Sequence, residues 1–446
     1  MKLLLVLSEY GEATKGGIGA FYRNIIPTLE KAGCQIDVCI TDLSHNAPSL
    51  TQPLNNVIPI SPRLFDEALF QLKHLAPTPE LRKMLACAFA AWETCDRGQG
   101  YDVVETTDWG LLYVPWVIQD VGPPVVVQFH GSNGQVSFHD PFEGNELEDL
   151  VTRTLEMALL GRADELQSGG RQNAREWSHL LCRPVHHIRP ACTSKDVSIA
   201  PIPLNLEPDT FGLVVGRIQS WKGPEVLCQA SALLADRAPK IVWVGRDHPF
   251  RRLDRSLSEH LRENYSSVWG KSIKPIGELS SSEAASLQAA ARFVVVPSTW
   301  DTFNLTAAEA MGLGKVVICS DGAGAADLIE DGENGFRFPA NDASALASLV
   351  NTVNHMSVAE REAIGQRARR TIRHELAADR ICAQRFDRYT HLRATGRPAR
   401  GSHPWLSSFF AAGAPGLPFS FLDKLPLKQL IRYTGRRAGR RLSTFR

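Results

Sequence analysis

Residues 296–335 read VPSTWDTFNLTAAEAMGLGKVVICSDGAGAADLIEDGENG, and this stretch decides the fold of the second half of the chain. Apolar runs at residues 293–296 and 316–319 predict two strands, and the alanine-rich segment between them predicts a helix. Asn304 is placed to cap the helix, Asp301 lies in the loop before it, and Glu309 lies inside it. Because a helix start presents unpaired N–H groups at the positive end of its dipole, the loop is predicted to bind a phosphate. Glu309 can then accept hydrogen bonds from ribose hydroxyls, while Asp301 faces whatever the phosphate carries.

This arrangement resembles the donor site of retaining GT-B glycosyltransferases, the large family that includes sucrose and glycogen synthases and bacterial group 1 sugar transferases. The family pattern has two glutamates separated by seven residues, then a small-residue turn and a second strand. Glu309 and the Ala-Met-Gly that follows it match the second glutamate, whereas Asp301, one methylene shorter, stands in place of the first. The resemblance implies that position 301 contacts the donor sugar. Replacement of the family glutamate by Asp301 is therefore expected to affect which sugar is bound and the activity itself. It also implies that Phe303, Asn304 and Leu305 belong to the donor site.

Length and composition bound the class of protein. A chain of 446 residues is too long for one ordinary core and predicts two domains. An apolar content of 43%, a charged content of 22% and a net charge of +1 fit a globular protein and argue against a general nucleic-acid binder. Nine scattered cysteines without a C-x-x-C pair favour a reducing compartment. The first apolar run is too short for a signal peptide and none has the length of a membrane span, so we expect a cytoplasmic protein.

Short apolar runs alternate with longer amphipathic stretches, the pattern of a parallel α/β architecture. In the first half, strands are predicted at residues 3–7, 35–40, 102–105, 125–129 and 164–167; in the second half, at 212–216, 240–244, 273–276, 293–296 and 316–319. A proline-rich linker at 190–209 separates the halves. We therefore expect two facing Rossmann-like domains, residues 1–203 for the acceptor and 204–373 for the nucleotide sugar, with ligand at the carboxyl ends of the strands. The resemblance implies that a helix at 374–395 returns to complete the first domain; a basic, aromatic tail spans 397–446.

Two segments are candidates for binding the donor diphosphate. Arg217 directly follows a predicted strand and Lys222 lies five residues further on, so both can reach the cleft and stabilise a departing diphosphate. The family has an Arg and a Lys at matching positions. No D-x-D motif occurs in the chain, and we expect a reaction that needs no metal and no cofactor. In the first half, Gly16 and Gly17 form a glycine-rich loop after the first strand, and the resemblance places it beside the donor phosphates or the acceptor.

The remaining candidate residues concern the nucleobase, the sugar and the acceptor. Ile276 and Gly277 follow a strand at the point where the family holds the base through its backbone, so UDP-, GDP- and ADP-sugars are all open as donors. His130 follows a buried strand, and the matching family histidine touches the donor sugar near the reactive centre. The acids Glu105 and Asp108, with Trp109, end the preceding strand and are candidates for lining an acceptor pocket.

The sequence thus predicts a retaining, metal-independent glycosyltransferase with Arg217, Lys222, His130 and Asp301 at the reactive centre. It would move a sugar from a nucleotide-diphosphate sugar to a glycan or to a lipid-linked acceptor. A GT-B sugar-nucleotide epimerase and a catalytically silent scaffold in polysaccharide assembly are the alternatives, the latter because of Asp301. The tail suggests association with the inner face of the cell membrane, since basic residues favour anionic lipid.

Overall fold

The computed structural model describes residues 1–10, 16–42, 57–140, 146–192, 206–250 and 255–398, together with 409–410, 427–428, 431–432, 434–436 and 438. Most of the predicted linker and most of the 397–446 tail lie outside the described residues. Two parallel sheets with helices on both faces confirm the predicted α/β architecture. Within the described ranges, no helix combines the length and the apolar character that crossing a membrane requires.

The first sheet has seven parallel strands in the order β3-β2-β1-β4-β5-β6-β7. The strands are β1 Lys2–Leu7, β2 Gln35–Ile40, β3 Val57–Pro59, β4 Val103–Thr107, β5 Val125–Phe129, β6 Glu165–Ser168 and β7 His186–His187. The helices are α1 Gly17–Lys31, α2 Pro62–Gln71, α3 Pro79–Thr94, α4 Val114–Ile118, α5 Asn133–His139, α6 Glu146–Leu159 and α7 Arg171–Leu180. The central strands are buried on both faces, which explains their continuous apolar sequences.

The second sheet has six parallel strands in the order β12-β9-β8-β13-β14-β15. Its strands are β8 Gly212–Val215, β9 Ile241–Val244, β12 Ile273–Pro275, β13 Phe293–Val296, β14 Val317–Ser320 and β15 Phe336–Phe338, and β10 Pro249–Phe250 and β11 Arg255–Ser256 form a separate ribbon. The helices are α8 Pro224–Leu234, α9 Leu257–Asn264, α10 Ser281–Ala290, α11 Leu305–Gly312, α12 Ala343–His355, α13 Val358–Glu375 and α14 Ala378–Thr395.

Both sheets reverse their strand order beside the first strand of the domain, between β1 and β4 and between β8 and β13. In open α/β sheets, ligands bind outside the carboxyl ends of the strands at such a switch point. The glycine loop follows β1, Arg217 follows β8 and Asp301 follows β13. The topology therefore brings the segments that the sequence singled out to the switch points of the two sheets.

The predicted strands all form, three of them (35–40, 125–129 and 293–296) with the predicted bounds. The sequence did not predict β3, β7 and β15. Each has two or three residues and lies at the edge of a sheet. Such short segments carry too few residues for a period-two pattern.

The helix expected at 374–395 is interrupted near its start. α13 ends at Glu375 and α14 begins at Ala378, because Leu376 leaves the helical conformation and its carbonyl accepts the Cys192 N–H at 3.0 Å. After this break α14 packs on α1, and its residues Ile381 and Tyr389 are buried in the core of the first domain. The break is therefore the point where the chain crosses from the second domain back to the first.

A buried ion pair attaches α14 to the first sheet. Arg385 and Glu105 are 0% and 1% exposed, and Arg385 Nη2 donates to Glu105 Oε1 at 2.5 Å. The hydroxyls of Tyr22 and Tyr389 also donate to Glu105, at 2.8 and 2.5 Å. Gln128 Oε1 accepts a further bond from the guanidinium at 2.9 Å. Each charge has at least three hydrogen bonds, the kind of compensation that a buried pair requires.

We expect Arg385→Met to lower the free energy of unfolding by about 3–5 kcal/mol, because it leaves the Glu105 charge buried without its partner. Urea denaturation measures this change. As a control, Arg393→Gln on the same helix removes an exposed pair with Asp102 (3.2 Å) and should cost less than about 1 kcal/mol. Adding Glu105→Gln to Arg385→Met should restore part of the loss; equal effects of Arg385→Met and Arg393→Gln would contradict the importance of the buried pair.

Candidate donor and reaction site

The start of α11 depends on an asparagine in a left-handed conformation. Asn304, the N-cap, has φ 79°, and its Oδ1 accepts the Ala307 N–H at 3.0 Å. Its Nδ2 donates to Asp301 Oδ2 at 2.9 Å. Asparagine tolerates this conformation better than most residues because its short polar side chain hydrogen-bonds locally. Asn304 therefore fixes the helix start, as predicted, and also orients the Asp301 carboxylate.

Asp301 and Lys222 form an ion pair. Lys222 Nζ lies 2.5 Å from Asp301 Oδ2, and the two side chains are 18% and 11% exposed. The ammonium also lies 4.0 Å from the centre of the Trp221 ring. The two loops are joined through their backbones, since the Thr299 N–H donates to the Trp221 carbonyl at 2.9 Å. The cation and the acid that the sequence placed at the reactive centre are thus neighbours on two hydrogen-bonded loops.

A cleft of about 760 Å³ lies between the two domains. Five of the predicted donor residues line it: Gly16, Gly17, Arg217, Leu305 and Glu309. Six others are not among its described lining residues: Lys222, Asp301, Ile276, Gly277, Phe303 and Asn304. The cleft therefore collects the predicted phosphate and ribose groups, while the Lys222–Asp301 pair lies outside its described lining.

Three of these residues have their backbone or side chain engaged elsewhere. Phe303 is buried in the core of the second domain, and its carbonyl accepts the Ala325 N–H at 2.6 Å. The Ile276 N–H donates to the Trp243 carbonyl at 3.0 Å, and the Gly277 carbonyl accepts the Gly245 N–H at 2.8 Å. The backbone groups of these two residues are therefore partly used in holding strand ends together. Their neighbours Glu278 and Leu279 line the cleft instead.

Glu309 faces the cleft from α11. Its side chain is accessible to the cleft, yet protein surrounds it closely on the other sides, and this desolvation raises the pKa of its carboxyl to about 7. The nearby Arg23 and a hydrogen bond with Gln288 oppose that shift. Glu309 is a hydrogen-bonding group whose charge depends on what occupies the cleft.

Arg217 has a counterpart that the sequence analysis missed. Arg246 follows β9 as Arg217 follows β8, each after a Gly, and both guanidinium groups are exposed at the cleft. No ion-pair partner for either side chain lies among the described residues. A Cβ added to Gly245 would lie 2.0 Å from the Gly216 carbonyl oxygen, so this close approach requires glycine. The repeated Val-Gly-Arg at 215–217 and 244–246 is the signal that could have revealed the second arginine.

Arg23 and Asn24 were also missed, and both line the cleft from α1. They follow Gly16 and Gly17 at helical spacing, with Ala20 between, so all five lie on one face of α1. Once the glycine loop was recognised as a helix start, that spacing would have pointed to them. Gln288 and His248 are further polar residues of the lining that the sequence analysis missed.

His130 follows β5 and its ring contacts two neighbouring aromatic rings. The centres of Phe21 and Tyr22 are 4.9 and 5.8 Å from its own. Its Nε2 is buried and has no hydrogen-bond partner among the described residues. Burial, with a smaller effect of the Arg385 charge, lowers the pKa of His130 to about 3, so the imidazole is neutral at physiological pH. His130 is not among the described lining residues of the 760 Å³ cleft.

The structure corrects two of the acceptor-site predictions. Glu105 is buried in the ion pair with Arg385, so its carboxylate is not available to an acceptor. Asp108 is also fully buried, and its two oxygens accept the N–H groups of His130 and Gly131 at 2.8 and 3.2 Å. Both acids therefore stabilise the fold, whereas the sequence analysis predicted that they contact the substrate. Trp109, half-buried in a 3₁₀ turn, stays a prediction.

A second buried carboxylate supports the same loop as Asp108. Glu156 on α6 accepts the Ser132 hydroxyl at 2.8 Å and the Gly134 N–H at 3.0 Å. Burial raises the pKa of each acid to about 7, against the opposing effect of these hydrogen bonds. Two buried acids therefore hold the loop that carries His130 through hydrogen bonds.

Two parallel-sheet domains with a ligand cleft between them define the GT-B class of nucleotide-sugar enzymes, and comparison with known proteins agrees. Residues 16–189 match the family described as glycosyl transferase 4-like domain, and residues 210–354 match glycosyl transferases group 1. The chain belongs to the group 1 glycosyltransferases and is an enzyme with the GT-B fold.

Curated relatives and solved structures resemble the chain over most of its length. D-inositol 3-phosphate glycosyltransferase of Corynebacterium glutamicum is 24% identical over 78% of this chain and 85% of its own; that of Thermomonospora curvata is 25% identical over 84% and 91%. Sucrose-phosphate synthase of Thermosynechococcus elongatus shares the fold with a TM-score of 0.68, at 23% identity, over 89% of this chain and 100% of its own. Anabaena HepE in complex with UDP-glucose has a TM-score of 0.62, at 17% identity, over 88% and 100%.

The raised pKa of Glu156 predicts a pH dependence of stability. A carboxyl with a higher pKa in the folded state contributes fully to stability below its unfolded pKa of about 4.3 and loses that contribution as the pH rises through 7. We therefore expect the stability of the wild type relative to Glu156→Gln to fall between pH 4 and 7.5, by on the order of 3 kcal/mol.

Urea denaturation at a series of pH values measures this difference. Glu176→Gln, at an exposed position of α7, is the matched control and should follow the wild-type curve. A constant difference between wild type and Glu156→Gln over this range would contradict the prediction.

Proposed function

We propose that this glycosyltransferase is retaining and metal-independent, and that it transfers a sugar from a nucleotide-diphosphate sugar to a glycan or lipid-linked acceptor. The observation that carries the proposal is the interdomain cleft, where Arg217 and Arg246 face the glycine loop of the first domain and Glu309 lies on the adjoining wall. Both arginines lack ion-pair partners among the described residues and are therefore suited to bind a phosphate. Glu309 is the candidate partner of the ribose hydroxyls.

Phosphate binding in this cleft would rest on charge-assisted hydrogen bonds. Each such bond from a guanidinium is worth roughly 1.5–3 kcal/mol, and the planar donor groups of arginine match two phosphate oxygens. The first turn of α1 adds the positive end of a helix dipole, where the Gly19 N–H donates to Glu9 Oε1 at 3.4 Å and a phosphate would compete with that carboxylate. A departing diphosphate can in this way be stabilised by groups that are already in place.

In the proposed reaction the bond between the anomeric carbon and the diphosphate oxygen breaks, and a bond to the acceptor oxygen forms on the same face. The acceptor proton passes to the leaving phosphate oxygen, so no enzymic nucleophile is required. Lys222 would contact the diphosphate and Asp301 the donor sugar. His130, whose imidazole is neutral, would lie near the donor sugar.

The donor nucleotide and the acceptor are proposed at the level of chemical class. Anabaena HepE binds UDP-glucose and shares the fold, so a UDP-sugar is the first donor to test, with GDP- and ADP-sugars as alternatives. The named relatives act on D-inositol 3-phosphate, which makes a phosphorylated polyol a further acceptor to include beside glycans and lipid-linked sugars.

Lys222→Ala should reduce kcat by about 100-fold or more, since it removes a cation that stabilises the leaving group. The melting temperature should stay within a few degrees of the wild type, because Asp301 keeps its hydrogen bond from Asn304. Release of nucleoside diphosphate measures the rate. Lys271→Ala, at an exposed position of the same domain, is the control; an unchanged rate in Lys222→Ala would rule out the proposed role.

Analysis of the donor sugar in the same reactions, beside the release of nucleoside diphosphate, separates the alternative functions. A transferase releases nucleoside diphosphate faster when acceptor is added, whereas an epimerase converts the donor without acceptor. A catalytically silent scaffold does neither with any of the donors. No turnover over the whole panel of donors and acceptors would favour the scaffold.

We further propose that the C-terminal tail contacts an anionic membrane surface. Leu427 and Ile431 are 71% and 64% exposed, and Lys428, Arg432 and Arg436 are exposed beside them. Phe409 and Phe410 pack on the core of the first domain, where His74 Nε2 lies 2.7 Å from the Phe409 carbonyl oxygen. This contact would hold the basic segment near the first domain.

Replacing Lys428, Arg432 and Arg436 together by Gln should reduce co-sedimentation with phosphatidylglycerol vesicles several-fold, since basic residues contribute about 1 kcal/mol each. Binding to neutral phosphatidylcholine vesicles should be weak for both proteins. Equal binding of wild type and variant to the anionic vesicles would contradict the proposal.

A further inference from the structure

A second cavity, of about 180 Å³, lies where α7, β7, α13 and α14 meet. None of the described residues lines both this cavity and the donor cleft. Its polar lining consists of three arginines, a histidine, an amide and one carboxylate: Arg171, Arg189, Arg380, His187, Gln384 and Glu375. Neither the glycosyl transfer proposed above nor the packing of the core uses this cavity.

The arginines of this cavity are incompletely neutralised. Glu375 pairs with Arg189 and lies 3.5 Å from Arg380, so one carboxylate serves two guanidinium groups. Arg171 lies 3.8 Å from Asp327, beyond hydrogen-bond distance. Among the described residues, three cations therefore face two acids, Glu375 in the lining and Asp327 beside Arg171, which leaves the cavity positive.

The histidine of the cavity responds to that charge. Burial is the largest cause of the lowered pKa of His187, and the charges of Arg189 and Arg171 lower it further. Its Nε2 lies 3.2 Å from the Gly169 carbonyl oxygen, which holds the ring at the cavity wall. The imidazole thus lies in the positive potential that the arginine positions imply.

The N-terminus of α7 adds to this potential. The helix has ten residues and begins at Arg171, and its N-cap, Gly170, provides no side-chain acceptor for the first N–H groups. The positive end of the helix dipole therefore lies beside the cavity. Guanidinium groups of this kind bind phosphate oxygens in pairs.

We propose that this cavity is a phosphate-binding site, which takes inorganic phosphate or the phosphate group of a small phosphorylated metabolite. Its volume equals that of about six water molecules, enough for a phosphate ion with a small substituent. Without an anion, Glu375 holds Arg189 and Arg380 in place. A bound phosphate competes with Glu375 for these arginines and draws in Arg171.

The site contains residues of both domains, close to the break where the chain crosses from the second domain back to the first. His187 ends β7 of the first domain, and Arg171 and Arg189 follow strands of that domain. Glu375 ends α13 of the second domain, and Arg380 lies in the first turn of α14. A phosphate bound between them stabilises the arrangement of α7 relative to the break between α13 and α14. The ligand would therefore act on the segment that connects the domains, away from the donor cleft.

Isothermal titration of the full chain with inorganic phosphate tests the site, in an Arg217→Gln background that weakens anion binding in the donor cleft. Arg171→Gln and Arg380→Gln should each weaken phosphate binding by about tenfold or more. Arg175→Gln, an exposed arginine one turn further along α7, is the matched control and should bind as the parent does. Melting temperatures without phosphate identify any variant that fails to fold.

Glu375→Gln distinguishes a binding site from a purely structural salt bridge. It removes the competing carboxylate and should tighten phosphate binding several-fold, although it also removes an ion pair. Tighter binding of glucose 6-phosphate than of inorganic phosphate would identify a phosphorylated metabolite as the ligand, and the reverse would identify the free ion. The proposal is overturned if the Arg217→Gln background binds no phosphate, if Arg175→Gln is as damaging as Arg171→Gln, or if Glu375→Gln weakens binding.

Discussion

The buried pair of Arg385 and Glu105 is the interaction on which the arrangement of the molecule depends. It joins α14, at the end of the described domains, to the central strand β4 of the first sheet. Tyr22, which shares Glu105, belongs to α1, the helix that begins at the glycine loop. One buried carboxylate therefore connects the returning helix, the sheet and the helix that lines the donor cleft. The two domains face each other across that cleft because the chain is anchored in this way.

The same cluster of buried residues reaches the proposed reactive centre. Phe21, next to Tyr22, packs against the His130 ring, and the Arg385 guanidinium lies 5.3 Å from the centre of the Phe21 ring. In the loop that carries His130, Asp108 accepts a hydrogen bond from the His130 N–H and Glu156 accepts one from the Ser132 hydroxyl. His130 is uncharged, and its Nε2 has no hydrogen-bond partner among the described residues. Aromatic packing holds its ring, and buried acids hold the backbone of its loop.

Charge is distributed differently in the two domains. In the second domain the arginines that follow neighbouring strands are exposed to the cleft, and Lys222 is paired with Asp301. In the first domain Glu105 and Asp108, at the end of β4, are buried in hydrogen bonds. An acid or a cation at the end of a strand is therefore not by itself a sign of contact with substrate. What matters is whether the residue is covered by another element, as Glu105 is covered by α14.

The sequence alone was sufficient for the parallel α/β architecture, the central strands, the capped start of α11 and the positions of Arg217 and Glu309. These features are local: strands buried on both faces require continuous apolar runs, and a helix start requires a capping residue. The repeated Val-Gly-Arg and the spacing along α1 would also have predicted Arg246 and Arg23, because both signals are present in the sequence.

Tertiary structure decided the rest. The sequence around Glu105 and Asp108 does not reveal whether these acids face a substrate or the core. They are buried because α14 packs over Glu105 and the His130 loop packs over Asp108. The break at Leu376 depends on a hydrogen bond from the N–H of Cys192, which is distant in sequence, to the Leu376 carbonyl. The pairing of Lys222 with Asp301 brings together residues from two separate loops. Contacts between residues far apart in the chain leave no periodic or local signal, so a single sequence does not reveal them.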